Sequence, residues 1–397
     1  MAETPAIVYF GNDWSAENRT SSHHVARWLA ARYRVLYVEC PGLRAPKGTG
    51  RDVTKILAKI RLALSGPRPQ QDGLQVLTLL QIPLHRFALV RLLNRQLIRL
   101  FLRWHLRRLG IRAPVTWFVV PHLASVVGRL GERLSVYYCI DDYAALPDVD
   151  PVAVRAMDDE LTRRADLVFV ASETLLAAKR ELNPESHVSP HGVDYDHFVR
   201  AQDPALVVPE DVAQLARPIV GFFGLIERWI DLGLVAWLAE QRPSWTFLMI
   251  GRVAVPDAEV PRLRNVVYLG RRPYETLPAY GKAFDAAIIP YHLTQQVLNA
   301  NPIKLREYLA MGKPIVSVST PEIDRFAAHV RIGRSREELL AHLDDALAKG
   351  LGAEARQAQT ALAATMTWDA NLRRVLERVE RLLGSRPEPG GVLETGS

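Results

Sequence analysis

The densest chemistry in the chain lies at residues 299–319, Asn-Ala-Asn-Pro-Ile-Lys-Leu-Arg-Glu-Tyr-Leu-Ala-Met-Gly-Lys-Pro-Ile-Val-Ser-Val-Ser. Lys304 and Glu307 stand three residues apart, a spacing that shares one face of a helix. The start of a helix already offers unpaired N–H groups and the positive end of a dipole to an anion. A lysine there adds a full charge, which suits phosphate. A carboxylate one turn deeper suits a pair of sugar hydroxyls. Together the two describe a site for the diphosphate of a nucleotide sugar.

The surrounding residues must build that helix. Asn301 is a suitable N-cap and Pro302 a suitable first helical residue. Gly312 fits just past the helix end, Pro314 stops it, and Ile315, Val316 and Val318 read as a buried strand. Upstream, an apolar strand ending at Gly224 leads through Glu227 and Arg228 to another helix. A glycine there lets backbone approach a diphosphate, and Arg228 is either a phosphate partner or a surface cation. Tyr291 ends a further strand, as a donor contact or a core aromatic, and Arg271, Arg272 and Tyr274 either edge a base or form a solvated turn. In the first half, Asp141 and Asp142 follow the run Val136 to Ile140. Paired acids at a strand end suit a general base, because a like-charged neighbour raises one pKa; the other reading is a cap for the next helix. His122 is the rival base.

Two segments resemble the GT-B glycosyltransferases, in particular the GT4-like group. Pro302, Lys304, Glu307, Tyr308, Leu309, Ala310, Gly312, Lys313, Pro314 and Val316 are similar to the donor-binding motif of that group. Pro190 to Phe198 (Pro-His-Gly-Val-Asp-Tyr-Asp-His-Phe) resembles its domain-crossing segment. The similarity runs from about residue 5 to about 384, with bacterial teichuronic-acid and exopolysaccharide transferases the nearest in flavour. It implies two Rossmann-like parallel-sheet domains facing across a cleft, with a last helix returning to the first. It also implies transfer of a sugar from a nucleotide diphosphate, UDP above all, to a glycan or lipid-linked acceptor. Asn299 stands where the retaining pattern has an acid, and Asp231 near where a lysine would follow Gly224. The acceptor loop of the family falls on Asp13, Trp14, His23 and His24; either histidine could instead cap or pack.

A chain of 397 residues, 48% hydrophobic, can fill two cores. We expect an acceptor-binding domain over 1–200 with the returning helix 369–384, a donor domain over 201–368, and a disordered tail over 385–397. The opening βαβ pattern lacks the dinucleotide glycine fingerprint, and no Walker loop occurs. Cys40 and Cys139 lie beside apolar runs and read as buried thiols. The N-terminus lacks a secretory pattern and no apolar run reaches the ~20 residues of a spanning helix, so a cytoplasmic location is expected. Asp148–Asp150 and Asp194–Asp196 spell an acid-x-acid pattern, but in loop and crossing contexts that do not favour a metal; no cofactor is expected.

The net charge of +7 is unevenly placed. Residues 86–112 hold eight arginines and no acid, and Arg91, Arg95, Arg99, Arg103 and Arg107 recur every four residues as a stripe on a helix. Residues 51–61 add Lys55 and Lys59 in similar style. A basic stripe beside apolar residues fits a helix lying on the anionic inner face of a cell membrane, or a solvated face of its own domain. Nucleic acid is disfavoured, because no stacking aromatics interleave as a known module requires. Two rivals share the fold: a sugar-nucleotide epimerase or phosphorylase, and an inactive scaffold in a glycan-assembly complex.

Overall fold

The computed structural model describes residues 5–15, 20–40, 61–70, 73–79 and 88–385, with only the backbone of 88–91. Lys55, Lys59 and Arg86, the side chain of Arg91, and the tail beyond Ser385 lie outside the described residues. The chain divides into two compact units, one of residues 1–190 with 371–397, the other of residues 191–370. The crossing segment from His191 onward therefore groups with the second unit, ahead of the boundary expected at 200.

In the first unit, β1 (Ile7–Gly11), α1 (Ser21–Ala30) and β2 (Val35–Glu39) open the fold, followed by a two-residue β3 (Arg68–Pro69) and β4 (Gln75–Thr78). The basic helix is α2 (Ala88–Arg108). Then come β5 (Val115–Phe118), β6 (Leu134–Cys139), α3 (Pro151–Arg164), β7 (Leu167–Val170), α4 (Glu173–Leu182) and β8 (Ser186–Val188). The sheet runs in the order β3-β4-β2-β1-β5-β6-β7-β8. It is parallel apart from β3, which pairs antiparallel with β4. Its central strands β1, β2, β5, β6 and β7 are fully buried, mostly apolar runs, as a sheet covered on both faces demands. The opening βαβ pattern and the run Val136 to Ile140 appear as β1, α1, β2 and β6, whereas β3, β4 and β8 are short and carry little apolar pattern.

The second unit holds β9 (Ile219–Phe223), α5 (Leu232–Gln241), β10 (Thr246–Ile250), β11 (Val266–Gly270) and β12 (Ala286–Ile289). After these come α6 (Gln295–Asn299), α7 (Ile303–Ala310), β13 (Ile315–Val318), α8 (Pro321–Asp324), β14 (Arg331–Gly333) and α9 (Arg336–Lys349). The strand order is β11-β10-β9-β12-β13-β14, all parallel. Two apolar clusters line its faces, one around Phe223, Phe284 and Tyr308, the other around Phe222, Leu238 and Phe247. The last helix, α10 (Trp368–Ser385), passes from the second unit into the first at Asn371.

Candidate functional site

The second sheet changes direction of growth between β9 and β12, and the loops leaving the carboxyl ends of those neighbours are where open α/β sheets bind ligands. Gly224 follows β9 with φ +154°, a conformation L side chains rarely adopt. A Cβ there would sit 3.0 Å from Cε of Lys304, so the glycine backbone lies directly beneath that lysine. Gly251 follows β10 with φ +146°, and a Cβ on it would come 1.7 Å from the Gly224 carbonyl oxygen. Two strand ends thus touch backbone to backbone. The Gly224 N–H is already donated to Ile250 O at 2.8 Å, so this amide is a structural bond rather than a phosphate donor.

Helix α7 begins one residue later than expected. Its N-cap is Pro302, not Asn301, and no side chain caps it. By contrast, Asp150, Ser172, Asp231 and Ser335 each cap the helix that follows them. Asn301 is buried and used elsewhere: Oδ1 accepts the His191 N–H at 3.1 Å, and Nδ2 donates to Glu322 at 2.9 Å. The first-turn amides of α7 are therefore left for water or a ligand. Gly312 takes φ +61° just past the helix end, as its position required.

Lys304 and Glu307 meet on the expected face, Nζ to Oε2 at 2.7 Å. Glu307 is 5% exposed and Lys304 23%, so the carboxylate is set deep and the ammonium reaches outward. Nζ also sits 5.1 Å from the centre of the Phe223 ring. Tyr291 bridges to Ile230 in the loop after Gly224, and burial, and next the Glu307 carboxylate, push its phenol above its ordinary pKa. Glu227 and the exposed Arg228 occupy the turn after Gly224, closed by Ile230 N–H donating to Glu227 O at 2.8 Å. Asp231 is spent as the N-cap of α5, its Oδ1 accepting from Leu234 N–H at 2.7 Å, with His292 Nδ1 3.4 Å from Oδ2. Asn299 ends α6, partly exposed. Arg272 is held by Asp211 at 2.8 Å and Tyr280 at 2.8 Å. Sequence reading overlooked Phe223 and Gly251; the signal was a repeated pattern, an apolar strand ending in aliphatic or aromatic plus glycine.

In the first unit, the loops after β1, β5 and β6 leave neighbouring parallel strands at the same edge. They carry Asp13 and Trp14, His122, and Asp141 and Asp142 respectively. The two acids are not equivalent. Asp142 is 4% exposed, starts a turn of 3₁₀ helix at Tyr143, and lies 3.5 Å from Arg155. Asp141 is partly exposed and its Oδ1 accepts the Asp142 N–H at 2.9 Å. His122 is partly exposed in the turn Pro121–Val126. Asp150 caps α3 through Val152 and Ala153, a structural use of the acid-x-acid pattern.

His23 turns out to serve the start of α1. Its Nδ1 accepts the Thr20 N–H at 3.2 Å and its Nε2 lies 3.2 Å from Asp13 O. Nδ1 as acceptor leaves the proton on Nε2. Burial, with Arg27 adding, holds this histidine below its ordinary pKa, so the ring is neutral. Trp14 packs over it at 5.2 Å and over Tyr37 at 4.8 Å, and donates Nε1–H to Gln70 at 3.2 Å. Asp13 Oδ1 accepts from Ser15 N–H at 3.0 Å, and His24 is the more open of the two histidines.

Residues 217–353 match the family described as glycosyl transferases group 1. The chain is 26% identical over 358 residues to TuaH of Bacillus subtilis (strain 168), a glycosyltransferase provisionally assigned to teichuronic acid biosynthesis; 80% of this chain and 82% of that one are covered. Among solved structures, sucrose-phosphate synthase of Thermosynechococcus elongatus superimposes with TM-score 0.70 at 14% identity, covering 96% of this chain and all of that one. HepE of Anabaena, solved with UDP-glucose, gives TM-score 0.64 at 15% identity, covering 94% and 99%. The fold is that of the GT-B glycosyltransferases, and the chain is a glycosyltransferase with a group 1 domain in its second unit.

Proposed function

We propose that this glycosyltransferase transfers a sugar from a UDP-sugar to a glycan or lipid-linked glycan at the cytoplasmic face of a membrane, in the synthesis of a cell-surface polysaccharide. The observation that carries the donor reading is the Lys304–Glu307 pair on an uncapped helix start above Gly224. The amides and Lys304 would take the diphosphate, and Glu307 the ribose hydroxyls. Charge growing on the leaving diphosphate is then met by groups already in place, which is the most effective form of electrostatic catalysis. Structures similar in fold are described as complexes with UDP, UDP-glucose and UDP-2-fluoro glucose, which supports UDP as the carrier.

Asp141 is the better general base of the two acids, because Asp142 is buried against Arg155. Tyr291 would border the donor beside Glu307. The name of the TuaH relative supports an acceptor in the cell envelope. Helix α2 would bring the first unit to a membrane: Leu93, Leu100 and Trp104 fall on one exposed line, with Arg103 and Arg107 to one side of it and Arg108 to the other. Among the described residues, no helix is long and apolar enough to cross a membrane.

The test is a titration with UDP and with GDP of wild type, Lys304→Gln and Glu307→Gln. Both replacements keep a polar group able to hydrogen-bond within the pair, and thermal melts check that folding is retained. A charge-assisted contact contributes about 1.5–3 kcal/mol, so each variant should bind UDP roughly 10–100-fold more weakly. Wild type that binds neither nucleotide would sink the donor assignment. Tight UDP binding with no transfer to any lipid-linked acceptor would favour the scaffold, a reading to which the spent Asp231 and the amide at Asn299 lend support.

A further inference from the structure

The first unit holds a cavity of about 490 Å³ at the open edge of its sheet. Its wall is β8, the terminal strand in the sheet order. Helix α4 closes it on one side and α10 on the other. The floor is apolar, with Phe169, Leu176 and Val375. The rim is cationic: Arg180 comes from α4, while Arg374 and Arg378 come from consecutive turns of α10. Glu173 is the one acid among the lining residues.

All three arginines line the same cavity, Arg180 and Arg374 exposed and Arg378 partly buried. Arg180 Nη2 lies 3.5 Å from the Ser186 carbonyl oxygen at the start of β8. Arg374 donates to Asn371 Oδ1 within α10. Arg378 is partly buried and, among the described residues, has no hydrogen bond or ion pair. His187, which lines the cavity from β8, feels both Arg378 and Arg180; after burial, their charges help hold it below its ordinary pKa. Its Nε2 is 3.3 Å from Glu185. Three arginines around a cavity with a single lining acid make a positive local field that favours an anion. Planar guanidinium forks match phosphate oxygens in pairs.

We propose that this cavity binds a phosphate-bearing ligand, its anion held by Arg180, Arg374 and Arg378 and its uncharged part on the apolar floor. The site is separate from Lys304 and lies wholly within the first unit. Such a ligand would tie α10, the segment by which the chain returns to this unit, to the edge of the sheet.

The experiment uses the Lys304→Gln protein, in which the donor site is weakened. It is titrated calorimetrically with inorganic pyrophosphate and with a short-chain phosphatidic acid below its micelle concentration. Hydrogen exchange is followed over residues 173–189 and 371–380. We expect saturable binding with slowed exchange in both segments, and at least tenfold weaker binding in Arg374→Gln/Arg378→Gln. Arg180→Gln, on a different helix, should weaken the same binding, which guards against a fold defect in the double variant. Phosphatidic acid binding tighter than pyrophosphate identifies a lipid phosphate; equal affinities identify a soluble one. No binding of either probe, or binding that both variants leave unchanged, overturns the proposal.

Discussion

Two lysines of one motif have opposite fates, and the difference is solvent. Lys304 reaches outward from a buried carboxylate partner. Lys313, nine residues later, turns inward and donates to the carbonyl oxygens of Lys282 and Phe284, each at 2.8 Å. Burial pushes its pKa down to about 8 from the ordinary 10.5, so it anchors the loop before β12 rather than meeting phosphate. The sign of the pH effect follows. Below about 8 both folded and unfolded chains carry the proton, and the folded state bears the whole cost of a buried ammonium. Between about 8 and 10.5 the unfolded chain binds more protons, so the contribution of this residue to stability rises with pH. Comparing urea midpoints of wild type and Lys313→Met at pH 7 and pH 9.5, wild type should gain about 1–2 kcal/mol on the variant. A gap independent of pH would show that the ammonium is solvated.

At the scale of elements, one buried polar knot ties α3, α4 and β6. Asp158 accepts from Tyr137 Oη–H at 2.5 Å and pairs with Lys179, whose Nζ also donates to Thr162 Oγ1 at 3.1 Å. Lys179 and Asp158 are 5% and 8% exposed. Removing one partner strands a buried charge, so Lys179→Met should cost about 3–5 kcal/mol. Asp158→Leu/Lys179→Met removes both charges and should recover most of that loss. Thermal melts decide it: a double variant as unstable as the single would mean packing, not charge, holds the knot. Nothing in the sequence of α4 announces this role, because lysine on a helix is ordinarily a surface residue. Helix ends follow more local rules, although Asn301, the cap expected for α7, is used elsewhere. Asp150, Ser172 and Ser335 cap where their residue types say they should, since a cap is a contact between residues two or three apart.

For the whole molecule, α2 is the surface that stands out. Leu92 is 54% exposed, Leu93 51%, Leu100 63% and Trp104 53%, on a helix whose other face packs Ile98, Leu102 and Leu106 into the first core. An apolar ridge left in water beside a row of arginines suits an anionic bilayer. Flotation with phosphatidylglycerol vesicles should retain wild type and lose Leu100→Gln/Trp104→Gln by at least tenfold, given ~1.5–3 kcal/mol for each large side chain buried. Arg95→Gln/Arg103→Gln should weaken retention by about 1 kcal/mol per charge, and raised salt should mimic it. UDP affinity should be unchanged in all of them. Equal flotation with neutral phosphatidylcholine would rule out the electrostatic part of this reading.

Sequence alone determined the things that depend on near neighbours. The buried runs of the main strands, the loop–helix–strand order of 301–318, the shared face of Lys304 and Glu307, and the density of arginine in α2 are all set by spacings of a few residues. Tertiary structure decided everything that depends on which strands lie side by side. It placed Gly224 under Lys304, turned Asp142 inward beside Arg155 and left Asp141 partly exposed. It took Asn301 from the cap of α7 to hold His191 and Glu322, and brought Arg180 to the same cavity as Arg374 and Arg378, about 190 residues further on. Periodicity reports which face of an element is apolar; it carries no record of which element that face will meet. Sheet order and the return of α10 supply that missing information.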